Sequence, residues 1–240
     1  MPTPQAVQRL TEALRLSTPI LAVYDAAPED GFDPVITAEG HACCFGYYGR
    51  WLKGQTVVFR RDGGGCMGAH FSLGLKSEYP PYMAHFLTDG AGAPTGEGLR
   101  ARPELAQAYV DQARPPRLEG DTALIGPLRL EKWEAVRSTT FLVDPDRLGA
   151  LMTLAGFWSE DPRLTQAPFS SGCGLLWREL SGSDRPVVGG TDIAMRRYVP
   201  PDIMTFSVSP ARFEQMLGFP DDCFLYKEWW GDLLKHRGYA

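Results

Sequence analysis

Five cysteines are the residues of this chain best suited to chemistry, and three of them stand close to glycine. Cys66 lies in the segment Gly65-Cys66-Met67-Gly68, Cys173 lies in Gly172-Cys173-Gly174, and Cys44 precedes Phe45-Gly46. Glycine permits positive φ or the close approach of a ligand to the backbone, which a loop that presents a thiol needs. We expect these loops to border one ligand or cofactor. The expected binding glycines are Gly65, Gly68, Gly172 and Gly174.

Cys66 is the strongest candidate for a nucleophile. Backbone N–H groups at a helix N-terminus stabilise a thiolate, and the residues from Gly68 to Leu75 favour a short helix just after Cys66. His70 would then lie in the first turn of that helix. The pair therefore predicts a metal-free thiol enzyme in which Cys66 is the nucleophile and His70 is its base.

A soft metal site is the other chemistry that these residues permit. The predicted ligands are Cys44, Cys66, Cys173 and Asp192, and a thiolate-rich set of this kind suits zinc or an iron–sulfur cluster. Because the chain has no C-x-x-C motif, the spacing does not identify the metal. Packed, unreactive thiols are the alternative, since free cysteine is often simply buried. Asp192 fits a turn or a helix cap as well as a site.

A nucleotide site is a minor alternative. Gly63, Gly65 and Gly68 match the pattern G-x-G-x-x-G after a predicted strand, and Asp89 follows about 20 residues later, as a dinucleotide fingerprint requires. Charged residues crowd the end of that strand, and Pro80-Pro81 interrupts the path to the next one. We therefore rank phosphate binding at this helix N-terminus below the thiol hypotheses.

The composition argues against several classes of function. The 24 basic and 29 acidic side chains give a net charge of -5, which disfavours a nucleic-acid partner. No apolar run approaches the ~20 residues that cross a bilayer, and the N-terminal residues lack the features of a signal peptide. An odd number of cysteines that includes an adjacent pair is not typical of a disulfide framework. We expect a cytoplasmic protein that binds a small molecule or a metal, with no nucleic-acid or membrane partner.

The chain begins with a helix followed by a strand. Apolar spacing predicts a helix over Pro4–Leu16, a strand over Ile20–Tyr24 and a second strand over Thr56–Phe59. The central region between Pro80-Pro81 and Pro115-Pro116 is irregular, and within it Pro103–Ala113 has a helical composition. We expect Asp25–Gly40 to be a loop and His41–Leu52 to form a short helix.

An internal repeat is the most informative pattern for the fold. Residues 141–148 and 206–213 both have the form Phe-x-Val-[Asp/Ser]-Pro-x-Arg-apolar. In each copy a strand ends on an N-capping Asp144 or Ser209, and a proline then opens an amphipathic helix. The repeat predicts an α/β (or α+β) fold, a single compact domain of two pseudo-symmetric halves with a duplicated strand-Pro-helix module. The approximate halves are 1–130 and 131–220, followed by a C-terminal helix over 221–240.

The C-terminal helix carries a strongly apolar face. Trp229 and Trp230 belong to it, and we expect it to pack on the core or across the interface of a homodimer. A second alternative function follows, a non-catalytic binding module or subunit that assembles through this aromatic helix.

With these residues identified, the chain resembles the DUF169 family, a group of uncharacterised prokaryotic proteins. The resemblance covers most of the chain in order. It is carried by Cys66-Met67-Gly68 through Gly74-Leu75, the strand before the Pro145 helix, Phe169 to Cys173, Gly190 to Arg196, Pro200-Pro201-Asp202 and Val208-Ser209-Pro210. The resemblance supports the fold more than any function, because it brings no substrate with it.

The family pattern implies a further cysteine in the loop that here contains Asp192. If the family site holds a metal or cluster, then Asp192, His70 or Cys43 would have to replace that thiolate in this chain. The leading hypothesis is a protein that binds a metal, an iron–sulfur cluster or a small ligand in a cleft between the two halves. Cys44, Cys66 and Cys173 would line that cleft, with His70 nearby.

Overall fold

A single seven-stranded mixed sheet organises the chain. The computed structural model describes residues 1–239, and at Glu29 it describes the backbone alone. The strands are β1 (Leu21–Tyr24), β2 (Val35–Thr37), β3 (Thr56–Arg60), β4 (Thr122–Pro127), β5 (Val136–Val143), β6 (Val187–Gly189) and β7 (Met204–Val208). The helices are α1 (Pro4–Leu14), α2 (Tyr48–Trp51), α3 (Met67–Ser72), α4 (Met83–Phe86), α5 (Pro103–Gln112), α6 (Pro145–Ala155), α7 (Pro210–Leu217) and α8 (Glu228–His236). Turns of 3₁₀ helix occupy Pro28–Asp30, Cys44–Tyr47, Leu130–Ala135, Arg178–Leu180, Ile193–Tyr198 and Phe224–Tyr226.

The strands lie in the order β2-β3-β4-β1-β5-β7-β6, so residues early in the chain form one side of the sheet and later residues form the other. Only the pair of β2 and β3 is parallel, and every other neighbouring pair is antiparallel. Strand β1 joins the two sides, since it pairs with both β4 and β5. The fold class predicted from the sequence, a mixed α/β domain, is confirmed.

The two predicted strand-to-helix units form as expected. Asp144 accepts a hydrogen bond from the Arg147 N–H at 3.0 Å, and Ser209 accepts one from the Arg212 N–H at 3.1 Å. A proline follows each cap at the first helical position, where its missing N–H costs nothing. The strands of the two units, β5 and β7, are antiparallel neighbours with Phe141 opposite Phe206.

The wider duplication into pseudo-symmetric halves is not confirmed. Both copies of the repeat lie on the same side of one continuous sheet, in β5 and β7. The proposed boundary between 1–130 and 131–220 does fall where the chain passes from β4 to β5. The division into halves stays a prediction.

The two faces of the sheet bury different layers. One face packs against α1, α6, α7 and α8, with Tyr24, Phe141 and Phe206 at its centre. The opposite face carries Val57, Phe59 and Leu142 among others, and it is covered by the loops and short helices around Cys44 and Cys173. All the cysteines of the predicted site therefore lie on the face opposite α1, α6, α7 and α8.

Several element boundaries correct the sequence predictions. Strand β2 lies inside the expected loop Asp25–Gly40, and β4 lies in a segment that the sequence left unassigned. Helix α3 begins at Met67 rather than Gly68, so Cys66 is its N-cap. Helix α5 matches its prediction within one residue. Among the helices of residues 1–239, none combines the length and the apolar character that a bilayer crossing needs.

Candidate functional site

A cavity of about 570 Å³ opens on the cysteine-bearing face of the sheet. Its lining comes from two parts of the chain, residues 41–109 and residues 167–198. Cys43, Cys66 and Cys173 all line it, whereas Cys44 is fully buried beneath it. The structure thus brings the predicted cysteines to one place.

The loop before Cys66 is held by backbone hydrogen bonds. The N–H of Gly65 donates to the carbonyl of Gly40 at 2.8 Å, and the N–H of Cys66 donates to the carbonyl of Ala42 at 3.2 Å. A side chain at Gly64 would overlap the Ala38 carbonyl, since its Cβ would lie 2.4 Å from that oxygen. Gly64, which is not one of the three pattern glycines, and Gly65 therefore allow this loop to pack against residues 38–42.

Cys66 is the N-cap of α3. Its Sγ lies 3.4 Å from the N–H of Ala69, which donates to it. A helix of this length offers little dipole, and other neighbours dominate the acidity of the thiol.

Cys173 is the centre of the sulfur cluster. It accepts hydrogen bonds from the thiols of Cys44 and Cys66, and the hydroxyls of Ser171 and Ser72 face it as well. The Sγ of Cys173 lies 3.5 Å from Oγ of Ser171, which in turn lies 3.3 Å from Oγ of Ser72. Since a thiolate can only accept, the Ser171 hydroxyl donates once Cys173 has lost its proton.

The four clustered thiols differ in acidity because of these bonds. Hydrogen bonds from Cys44 and Cys66 hold the pKa of Cys173 well below its usual range, despite its burial. Donation to Cys173, together with burial, raises the pKa of Cys66, and burial chiefly raises that of Cys44. The Cys44 thiol also lowers the pKa of Cys43, although its single proton can be donated to only one of the two sulfurs at a time. Cys173 is therefore the cysteine of the cluster whose surroundings most favour a thiolate, whereas the sequence favoured Cys66.

The glycines predicted to bind a cofactor instead make room for the cluster. A Cβ at Gly172 would lie 3.0 Å from both Met195 and the Phe45 ring, and one at Gly174 would lie 2.4 Å from the Ser170 hydroxyl. Gly65 has a φ of +131°, which disfavours any other residue there. A Cβ at Gly68 would make ordinary van der Waals contact with Sγ of Cys173 at 3.6 Å and with Sγ of Cys66 at 3.8 Å.

His70 does not face the cluster in the way that a catalytic base would. Its side chain is buried, with Nδ1 3.1 Å from the Cys66 carbonyl and Nε2 3.2 Å from the Arg60 carbonyl. Both ring nitrogens thus lie against acceptors, and neither is directed at the thiol of Cys66. This geometry gives no support to the predicted Cys66–His70 pair.

Asp192 is both a helix cap and a wall of the cavity. Its carboxylate accepts from the N–H of Gly172 at 2.7 Å and from the N–H of Ala194 at 3.0 Å. Burial raises the pKa of Asp192, and its proximity to Cys173 adds to this. Glu97 also lines the cavity, and burial together with Asp192 raises its pKa. The sequence singled out Asp192 but gave no signal for Glu97.

The predicted metal set is not arranged as a metal site. Within residues 1–239, no group of three or more histidine, cysteine, aspartate or glutamate side chains has the arrangement that holds a metal ion. Cys44, Cys66 and Cys173 do meet around one sulfur, but their contacts are those of thiols that hydrogen-bond to one another. Zinc or an iron–sulfur cluster at Cys44, Cys66, Cys173 and Asp192 has no geometric support.

A buried arginine that the sequence did not indicate organises the aromatic wall of the cavity. Arg178 donates to the phenol oxygens of Tyr79 at 2.6 Å and Tyr109 at 2.7 Å, and to the hydroxyl of Ser170 at 2.6 Å. It also pairs with Glu179, so its buried charge is compensated. These tyrosines and Arg178 come from segments far apart in the sequence, so no local motif predicts that they meet.

Comparison with known proteins gives a family. The family model DUF169, described as uncharacterised ArCR, matches residues 9–218. This chain belongs to the DUF169 family. The match spans every strand of the DUF169 sheet and the whole lining of the cavity. Neither the curated proteins nor the solved structures include a match to this DUF169 chain.

Proposed function

We propose that this protein binds a small organic molecule in the cysteine-lined cavity. The observation that carries the proposal is the cavity itself, because about 570 Å³ is the size of a pocket for a small ligand. Pockets of this kind have mostly apolar walls and a few convergent polar groups. Here the walls include Met83, Phe86 and Phe169, and the polar groups include Asp192 and Cys173.

The aromatic wall of the cavity supports a bound ring or chain. Tyr79 and Tyr109 line the cavity and are fixed by Arg178, and Tyr109 contacts the Phe169 ring edge-on at 5.1 Å. The Arg100 guanidinium stacks over the Phe169 ring, 3.7 Å from its centre. Side chains held in this way lose little freedom when a ligand binds, which favours affinity.

A pair of matched variants tests whether ligands bind in this cavity. Ala167 lines the cavity and is exposed, so Ala167→Trp should fill the entrance without disturbing the core. Ala211 is exposed on α7, in the helical layer of the opposite face, and Ala211→Trp is the control. The probes are a defined set of aromatic amines, aromatic carboxylates and neutral arenes, observed by ligand-detected NMR. Binding that survives Ala211→Trp and is lost in Ala167→Trp supports the proposal, and an absence of binders or equal binding by both variants overturns it.

The metal hypothesis is decided by a different measurement. Protein purified without oxygen would be examined by elemental analysis and UV–visible spectroscopy, together with Cys66→Ser and Cys173→Ser. Stoichiometric zinc or iron that disappears in both variants would replace the organic ligand by a metal site. We expect metal-free protein, because the thiols already satisfy one another.

We propose a cytoplasmic location on the evidence of the thiols. All five cysteines are free, and a reducing compartment keeps them so. Fractionation of the native host would test it, and recovery of the protein outside the cytoplasm would contradict it.

A further inference from the structure

The sulfur cluster has the arrangement of a reactive dithiol. Cys66 and Cys173 are both at the cavity surface, and their thiols are within hydrogen-bonding distance of one another. Both sulfurs also flank Gly68, where an added Cβ would contact Cys173 Sγ at 3.6 Å and Cys66 Sγ at 3.8 Å. Of the four clustered cysteines, these two are the pair that shares a hydrogen bond and in which both members line the cavity.

From this geometry we infer that the cavity is the site of a thiol–disulfide exchange in which Cys173 attacks a small disulfide and Cys66 then completes an internal disulfide bond. Low-molecular-weight disulfides are the chemical class of substrate. The size of the cavity admits such a molecule but not a folded protein. The inference uses the cavity of the proposed binding function, but it depends on no particular organic ligand.

The first step transfers one sulfur bond. The Cys173 thiolate attacks one sulfur of the substrate R–S–S–R, a new bond forms between Cys173 Sγ and that sulfur, and the other sulfur leaves as RS⁻. The Ser171 hydroxyl, 3.5 Å from Cys173, and the thiols of Cys44 and Cys66 stabilise the thiolate before the attack. The leaving thiolate takes up a proton from solvent to become RSH.

The second step is prepared by the first. The largest contribution to the raised pKa of Cys66 is its hydrogen bond to Cys173. This contribution disappears once Cys173 is a neutral mixed disulfide, whereas the N–H of Ala69 still donates to Cys66 at 3.4 Å. Cys66 can then lose its proton and attack Cys173 Sγ, which breaks the mixed disulfide and releases the second RSH. In total, one R–S–S–R is reduced to two RSH while the two cysteine thiols are oxidised to one disulfide.

The other cysteines are less suited to the second step. Cys44 is completely buried and does not reach the cavity. Cys43 lines the cavity, but its hydrogen bond is with Cys44. Cys223 packs in the core on the other face of the sheet, beyond the reach of a small molecule in the cavity. The inference therefore specifies one bond among the ten pairs that five cysteines allow.

The test is a reaction of the reduced, full-length protein with glutathione disulfide as the probe. Remaining thiols are trapped with N-ethylmaleimide, and linked peptides are identified by mass spectrometry without reduction. We expect two thiols to be lost and the Cys66 peptide to be linked to the Cys173 peptide. In Cys66→Ser, glutathione should accumulate on Cys173, and in Cys173→Ser the reaction at this site should slow by at least a hundredfold.

Two further variants separate an effect on the reaction from a general effect on folding. Cys223→Ser removes a thiol from the opposite core and should react like the wild type. Ser171→Ala removes one donor to the thiolate and should slow the first step about tenfold, which corresponds to one hydrogen bond to a charged group. Unreactive folded wild type, a bond between Cys43 and Cys44 instead, or glutathione that remains on Cys43 or Cys66 would overturn the inference. Failure of the ligand screen with a positive exchange reaction would reject noncovalent binding of the aromatic probes and leave the exchange inference standing.

Discussion

At the scale of single residues, the number of hydrogen-bond donors around each sulfur decides which cysteine is the most acidic. Cys173 is buried, and burial by itself makes a thiolate less stable. Hydrogen bonds from Cys44, Cys66 and Ser171 reverse this effect, so the charged form is favoured on Cys173. Cys66 at the helix N-cap has the opposite tendency because it is one of the donors.

Alkylation as a function of pH should separate these two thiols. A thiolate is the reactive form, so a cysteine with a lowered pKa stays reactive as the pH falls, and one with a raised pKa does not. Between pH 8.5 and pH 6, we expect labelling of Cys173 by iodoacetamide to decline little and labelling of Cys66 to be negligible throughout. Peptide mapping after timed labelling gives the two rates. Faster labelling of Cys66 than of Cys173 at pH 6 would show that Cys66 is the more acidic of the two thiols and would contradict this account.

The sequence identified the cysteines of the cluster but not the order of their acidities. Glycine beside Cys66 and Cys173 indicated loops that could bring thiols together, and the structure has them within hydrogen-bonding distance. The ranking could not be predicted, because it depends on Ser72 and Ser171, which are 99 residues apart and meet only in the folded chain. The same holds for His70, whose ring lies against the Cys66 and Arg60 carbonyls rather than against a thiol.

At the scale of secondary-structure elements, the two capped units differ in what the cap supports. Asp144 accepts from the Arg147 backbone at 3.0 Å and also pairs with the Arg147 guanidinium, which is buried and donates to the Leu14 carbonyl. Ser209 caps α7 in the same way, but Arg212 pairs with Asp184 instead. Loss of Asp144 thus affects the cap and a buried charge together.

We predict that Asp144→Asn lowers the free energy of unfolding by about 2 kcal/mol, since it weakens hydrogen bonds to a charged group. Ser209→Ala, which removes the second cap, should cost about 1 kcal/mol. Urea denaturation at neutral pH followed by circular dichroism measures both. Because asparagine also caps helices, Asp144→Asn reports mainly the Arg147 pair, and a cost near zero would mean that this pair contributes nothing.

The cost of Asp144→Asn should also depend on pH. Burial opposes ionisation of Asp144, but hydrogen bonds from Arg147 outweigh it and hold its pKa below the ordinary value. The stabilisation is therefore complete above the pKa of an unfolded aspartate, about 4, and is lost as the pH falls through the lower pKa of the folded state. Wild type and Asp144→Asn should converge in stability in strongly acidic buffer. A constant difference between them down to pH 2 would contradict this account.

The elements that the sequence predicted are those with strong local signals. Helix α1 has apolar spacing and a Thr3 cap. Helices α6 and α7 each begin with proline after a capping residue and end before glycine, so both ends have a local signal. Strand β4 lies near the centre of the sheet but was missed, because its fully buried stretch is short and follows a long irregular segment. Its position is set by pairing with β1 and β3, which local sequence does not encode.

At the scale of the whole molecule, the C-terminal helix is part of the core of its own chain. Trp230 is 3% exposed, and its indole N–H donates to the Ala13 carbonyl at 2.9 Å. Trp229, next to it, is 59% exposed and stacks near Phe224. Assembly through this helix stays a prediction, and Trp229 is the side chain that would serve it.

Replacement of the two tryptophans should therefore give opposite results. Trp230→Ala should cost about 3 to 5 kcal/mol of unfolding free energy, the range for a large aromatic removed from a core. Trp229→Ala should change stability by less than about 0.5 kcal/mol, as for most surface substitutions. Denaturant midpoints give the first quantity. Sedimentation of both variants then shows whether Trp229 contributes to a dimer, and a large loss of stability from Trp229→Ala alone would indicate that it is buried in one.

The sheet has one further consequence, since it separates the helical layer from the layer that holds the cavity. The helical layer contains α1, α6, α7 and α8, while the sulfur cluster is covered mainly by loops and short helices. Partial opening of the cavity layer can therefore proceed while the helical layer keeps its packing. A ligand or a Cys66–Cys173 bond would slow amide hydrogen exchange in the loops around the cavity and leave the slowest amides, those of the helical layer, unchanged. In that case the melting temperature would respond little to binding. The amide hydrogen exchange rates of individual loops would be the more sensitive measurement.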